Sequence, residues 1–173
     1  VTVSGEKADF PVERVHVGLS GLWERGGSGE EHRRPVYLSI DKDALVSAVG
    51  SEEYYRVLHG YVPEGLAGAE GDFRKEQDAR EKYLEYNLDE AKALLARAGY
   101  DESNPLKLTY KYSQTQLHAD VAQILQQMWE KAGIQCELQV VESGVFYNQV
   151  DNGDFETSRY GYSAGDDPSQ FLN

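Results

Sequence analysis

The residues best equipped for chemistry gather at one end of the chain, in "SRYGYSAGDDPSQFLN" from Ser158 to Asn173. Asp166 and Asp167 are adjacent carboxylates, and paired acids can split their pKa values between acid and base roles. Neighbours in an extended turn point to different sides, however, which disfavours a dyad and leaves two other readings. One is a local turn, in which an Asp side chain holds nearby amides and Pro168 fixes the exit. The other is a fixed carboxylate that accepts charge-assisted hydrogen bonds from a ligand ammonium group. Composition alone puts the local turn first. Ser163 sits in "GYSAG", which matches the G-x-S-x-G pattern of a nucleophile elbow. An elbow needs a strand-to-helix turn and a histidine later in the chain, and the ten residues after Ser163 contain none. A serine hydrolase therefore requires a histidine from outside this sequence and stands as a remote alternative. Tyr162, at the tip of a strand-like stretch, offers a ring that can wall a pocket while its hydroxyl stays wet.

Elsewhere the chemistry thins out. His16, His32, His59 and His118 include no two at metal-ligand spacing and read as surface residues, so no metal and no cofactor is expected. The glycines of "GGSGEE" are followed by acids rather than by Lys-Ser or Lys-Thr, which argues for a loop and against a phosphate cradle. Cys136 is the lone cysteine, which rules out an internal disulfide. Seventeen Lys and Arg against thirty Asp and Glu give a net charge of -13, a field that repels polyphosphate and makes nucleic acid an unfavourable partner. No window approaches the roughly 20 apolar residues that a membrane-crossing helix needs. The chain of 173 residues, 40% hydrophobic, is long enough for one domain with a real core. It begins "VTVSGEKADF", without an initiator Met or a leader, and reads as a processed chain or a piece of something larger.

The elements that must position the closing motif are clearest in the second half. Apolar alternation at Val15, Val17 and Leu19 predicts a strand, followed by a glycine-rich loop through Arg34. "VYLSIDKDALVSAVG" fits one or two short helices ending at Gly50, with Asp41 or Asp43 as cap. "SEEYYRVLHGYVPEGL" suggests a helical turn running into a loop, and residues 67–85 a surface loop with one solvated helical turn. "YNLDEAKALLARAGY" carries a capping box, Asn87 with Glu90, and Gly99 as a left-handed stop. "LKLTYKY" alternates from Leu106 to Tyr112 as a strand does. "LHADVAQILQQMWEKAG" then places Leu117, Val121, Ile124, Leu125, Met128 and Ala132 at helical spacing up to Gly133. "IQCELQVV" alternates again, "GVFYNQVDNG" predicts a helix with Val145, Phe146 and Val150 inward, and "FETSRYGYS" a last strand. The fold expected is α/β, an open mixed sheet with a right-handed βαβ crossover. In such sheets ligands gather beyond the carboxyl ends of the strands, where the closing motif begins at Ser163.

An ordered series of motifs resembles the extracytoplasmic solute-binding proteins of peptide ABC transporters, bacterial family 5 type. It comprises "YLSIDKDALV", "YNLDEAKALLARAGY", "LKLTYKYS", "AQILQQMWEKAGIQCELQVVE" and "NGDFETSRYGYSAGDDPSQFL", and covers residues 36–173. The resemblance implies one lobe of a type II periplasmic-binding-protein-like fold. It implies a single truncated domain over residues 1–173, in which 1–35 is a poorly matched entry segment and 36–173 the family-like core. It further implies a non-enzymatic, monomeric receptor, periplasmic or lipid-anchored outside the cell membrane. Such a receptor closes on a peptide or other small solute and delivers it to an ABC permease. A sensory domain of the same fold, or a receptor for nickel complexes or oligosaccharides, is the alternative. On the family pattern Arg159 matches an arginine that meets the ligand carboxylate in some oligopeptide binders. Asp167 matches the acid before proline, Asp166 takes an ammonium-binding role by a shift of one residue, and Tyr162 replaces the usual tryptophan beside Ser163. The family pattern runs a helix into this region from which Arg34 and Pro35 depart, and because proline tolerates a first turn the helix is expected to begin at Pro35 instead.

Overall fold

A computed structural model describes residues 16–18, 30–50, 57, 62, 65–76 and 85–160. Its elements run β1 (His16–Gly18), α1 (Glu30–Leu38), α2 (Lys42–Val49), α3 (Phe73–Glu76), α4 (Leu88–Arg97), β2 (Leu106–Ser113), α5 (Gln116–Ala132), β3 (Ile134–Val141), α6 (Ser143–Asp151) and β4 (Thr157–Tyr160). The strands form one sheet in the order β1-β4-β2-β3. β2 pairs parallel with β3 over their full length and with β4 at Tyr110↔Thr157 and Lys111↔Ser158, while β1 lies antiparallel on β4. This is the mixed α/β sheet with a βαβ crossover that the alternation of "LKLTYKY" and "IQCELQVV" predicts, with β3 at the predicted bounds.

The two crossover helices lie on opposite faces of the sheet. Leu106, Leu108 and Tyr110 of β2 share one face and join Ile134 and Cys136 of β3 against Val121, Leu125 and Trp129 of α5. Burying a side chain such as Leu125, fully covered here, contributes roughly 1.5–3 kcal/mol. Lys111, on the alternate face, bonds Asp154 just after α6, and Phe146 of α6 is buried outside that core. Val145 is 48% exposed, which corrects its inward placement. It stands about 100° around the helix from Phe146, and nine residues laid over one strand bury only a narrow stripe.

Helix ends follow the local chemistry. Asn87 accepts from the Glu90 amide, and its own amide group donates to the Glu90 carboxylate, as a capping box does. Asp41 caps α2. Gly99 and Gly133 take positive φ where α4 and α5 stop. The single-turn helix α3 sits in the predicted surface loop, after an Ala67↔Asp72 bridge. The helix start at Pro35 is the main correction, because α1 begins five residues earlier, within the stretch expected to be loop. Tertiary partners sustain that extra turn. Arg34 pairs with Glu90 of α4 at 2.6 Å, His32 meets Tyr100 at 3.3 Å, and Trp129 Nε1 donates to the Val36 carbonyl. The predicted turn within residues 51–64 lies almost wholly outside the described residues.

Candidate functional site

Parallel pairing brings the carboxyl ends of β2, β3 and β4 to one end of the sheet. Ser113 sits opposite Val141 there, and one further step in the β2–β4 register sets Arg159 beside Tyr112. The loop after β2 leads to α5 on one face and the loop after β3 to α6 on the other. Such a divergence opens the crevice in which open α/β sheets take ligands. Gln114 N spans it by donating to the Val141 carbonyl at 2.8 Å.

Two helix amino termini border this end, each with unsatisfied amides and a partial positive charge. Thr115 caps α5 by accepting from the His118 amide, and the Glu142 carboxylate caps α6 by accepting from Val145 N. Amide hydrogen bonds from Gly144 and Val145 hold the Glu142 carboxyl below the usual carboxylate range. Against the α5 terminus, Ser113 Oγ lies 2.5 Å from His118 Nδ1. Ser113 is buried and His118 partly so. This hydrogen bond fixes the ring and directs Nε2 away from the serine.

Among the sequence-predicted site residues, Arg159 falls within the described structure. It is buried, on the same face of the sheet as Tyr110 and Thr157, and near enough for its charge to act on the Tyr110 hydroxyl. Burial pushes that hydroxyl's pKa well up, and Arg159 pulls it partly back. Tyr110 Oη and Thr157 Oγ1 are both buried without a hydrogen bond. Tyr162, Ser163, Asp166 and Asp167 lie outside the described residues, directly after β4.

Sequence reasoning missed the Ser113–His118 pair. All four histidines were expected at the surface, yet His32 and His118 are partly buried. The available signal was "SQTQLH", a serine ending a strand, a threonine cap, and a histidine in the first helical turn. Cys136 is buried, and desolvation pushes its thiol up to about 12, so it is an unreactive core residue. A depression of about 330 Å³ lies on the β2/β3 face, lined by Lys107, Thr109, Gln135, Glu137 and Glu156. It sits toward the amino ends of the strands, away from the carboxyl-end crevice. Among the described residues no group of His, Cys, Asp and Glu could hold a metal ion.

Known proteins share this fold. The periplasmic murein peptide-binding protein MppA of Escherichia coli is 33% identical over 154 residues, which cover 86% of this chain and 28% of MppA. The probable deoxycholate-binding periplasmic protein YgiS of Escherichia coli is 31% identical over 144 residues, covering 82% and 26%. The chain thus spans about a quarter of the length of these curated relatives. In three dimensions the OppA structure from Burkholderia pseudomallei superposes with a TM-score of 0.73 at 24% identity, covering 92% of this chain and 33% of that one. Residues 30–173 match the family described as bacterial extracellular solute-binding proteins, family 5 Middle. With most of its length matched and the fold shared, the chain belongs to the family 5 bacterial extracellular solute-binding proteins.

Proposed function

We propose that this chain is the ligand-gripping lobe of an extracytoplasmic receptor that captures peptides in a cleft and passes them to an ABC permease. The observation that carries this reading is the convergence at the carboxyl end of the sheet. Arg159 and the Ser113–His118 pair both lie at that end, and in sequence β4 is followed directly by the "GYSAGDDP" motif. A peptide carries an ammonium group at one end, a carboxylate at the other, and a regular series of amides between. In our reading Asp166 or Asp167 accepts from the ammonium group, Arg159 and His118 Nε2 donate toward the carboxylate, and Tyr162 and Ser163 line the wall. Charge-assisted bonds of this kind contribute about 1.5–3 kcal/mol each. The roles are binding roles, and no reaction is assigned to the chain. The receptor works as a monomer outside the cytoplasmic membrane, and residues 1–173 form a single domain of it.

A second ligand class has its own support, since the relative named as probably deoxycholate-binding is 31% identical. A bile acid offers a carboxylate but no ammonium group, so it would use Arg159 and His118 without the aspartates. Calorimetry on the full-length receptor with a tetrapeptide, its N-acetylated and C-amidated forms, and deoxycholate separates the two. Loss of affinity on blocking either peptide terminus supports the peptide reading. Indifference to both overturns it, whereas Asp166→Asn and Asp167→Asn variants that both leave peptide affinity and its amino-terminus dependence intact overturn the assignment of the ammonium group to these aspartates.

A further inference from the structure

Strand β4 is buried yet polar: Thr157, Ser158 and Arg159 are 0%, 1% and 4% exposed. Register is ordinarily specified by an apolar face that must stay covered, and the described side chains of this strand, Thr157, Ser158 and Arg159, supply none. Its ladder to β2 consists of two residue pairs, Tyr110↔Thr157 and Lys111↔Ser158. β1 pairs with its other side, but three residues paired to β4 alone can travel with it. A slip of one residue would turn Arg159 to the opposite face, and a slip of two would carry it about 7 Å along the sheet.

Two side-chain contacts flank that short ladder. Below its first pair, Thr109 N donates to Glu156 Oε2 at 2.7 Å, so a side-chain carboxylate occupies the place of a strand carbonyl. Lys111, 6% exposed on the α6 face, directs its ammonium group to the Asp154 carbonyl and, at 3.5 Å, to the Asp154 carboxylate. Gly153, at φ +75, ends α6 just before this turn. Both contacts are charged and directional, and both join β2 to the three residues that lead into β4.

We propose that Lys111 and Glu156 are positioning residues that set the register of β4 and so place Arg159 at the carboxyl end of the sheet. That this placement serves ligand binding rests on the receptor reading above, whereas the register itself does not. The decisive comparison sets wild type beside Lys111→Met, Lys111→Arg, Glu156→Gln and the Lys111→Met/Glu156→Ala double variant. Asp154→Ala, at an exposed side chain, is included because it folds whether or not the buried lysine can be replaced. Backbone NMR contacts between Tyr110 and Thr157 read the register in this chain. The double variant is expected to lose the single wild-type set, Asp154→Ala to weaken it, and Lys111→Arg to keep it. Lys111→Met is expected to leave the melting temperature near wild type, because the Asp154 carboxylate left behind is 67% exposed and stays hydrated, while the methionine fills a similar volume. In the full-length receptor the double variant should bind peptide about ten- to a hundredfold more weakly, the worth of one misplaced charge-assisted bond. A wild-type contact set in the double variant overturns the register lock. An altered register with unchanged affinity overturns the positioning role. A wild-type receptor that binds no peptide removes the receptor reading alone, and the NMR comparison still decides the lock.

Discussion

Tyr110 shows how much a single buried atom can reveal. Its ring packs edge-on to Trp129, with centroids 5.6 Å apart, while its hydroxyl is covered and makes no hydrogen bond. A buried hydroxyl without a partner loses its hydration and gains nothing in return. Tyr110→Phe is therefore expected to leave stability unchanged or raise it by about 1 kcal/mol, read from the urea midpoint at constant slope. A loss of more than about 1 kcal/mol would mean that the hydroxyl has a partner in solution. The alternation of "LKLTYKY" already placed Tyr110 on the core face. That Thr157 of β4 stands opposite Tyr110 was not legible, because side-chain period says nothing about which strand lies alongside.

Among the elements, α5 and α6 carry the clearest expectations. A Cβ at Gly133 would meet no atom within 4 Å, so Gly133→Ala isolates the cost of a left-handed backbone at φ +88. That cost is about 1–2 kcal/mol, measurable by thermal or denaturant unfolding. At the start of α6, the Glu142 carboxylate is stabilised by amides in the folded state, and its pKa lies below the unfolded value. A depressed carboxyl contributes stability that is present above its unfolded pKa and lost as pH falls through the folded one. Amide protection at Val145 should hold down to the ordinary value of 4.5 and decline below it, and NMR-detected exchange across that range checks the sign. Glu142→Gln should remove most of this pH dependence. Elements that carry their own signals, such as α4 with its capping box and the strictly alternating β2 and β3, were legible before any coordinates. The first turn of α1 was not. Its residues "EEHRR" have no apolar period, and it is held by Glu90 and Tyr100, both more than fifty positions away.

For the whole molecule, the share of the relatives' length that this chain spans has a thermodynamic consequence. A ligand enclosed between two lobes draws contacts from both, and one lobe alone still bears the full entropic cost of association. On the receptor reading proposed above, calorimetry of these 173 residues with short peptides should accordingly find weak binding or none, against much tighter binding by the full-length receptor. Micromolar or tighter affinity in this chain alone would overturn the need for a second lobe.

The sequence by itself determined the class of fold, most of the helix and strand bounds in residues 86–160, and the family, because capping, alternation and helical period are local and the ordered motifs repeat them. It also singled out Arg159. Tertiary structure decided which strands are neighbours, that β4 lies between β1 and β2, and that Ser113 and His118 stand at the same end of the sheet as Arg159. The physical reason is that pairing across a sheet is chosen by partners far apart in sequence. In β4, whose described side chains are polar and buried, no apolar pattern records that choice; Lys111 reaches from β2 to the turn that leads into β4, and Glu156 reaches from that turn back to β2.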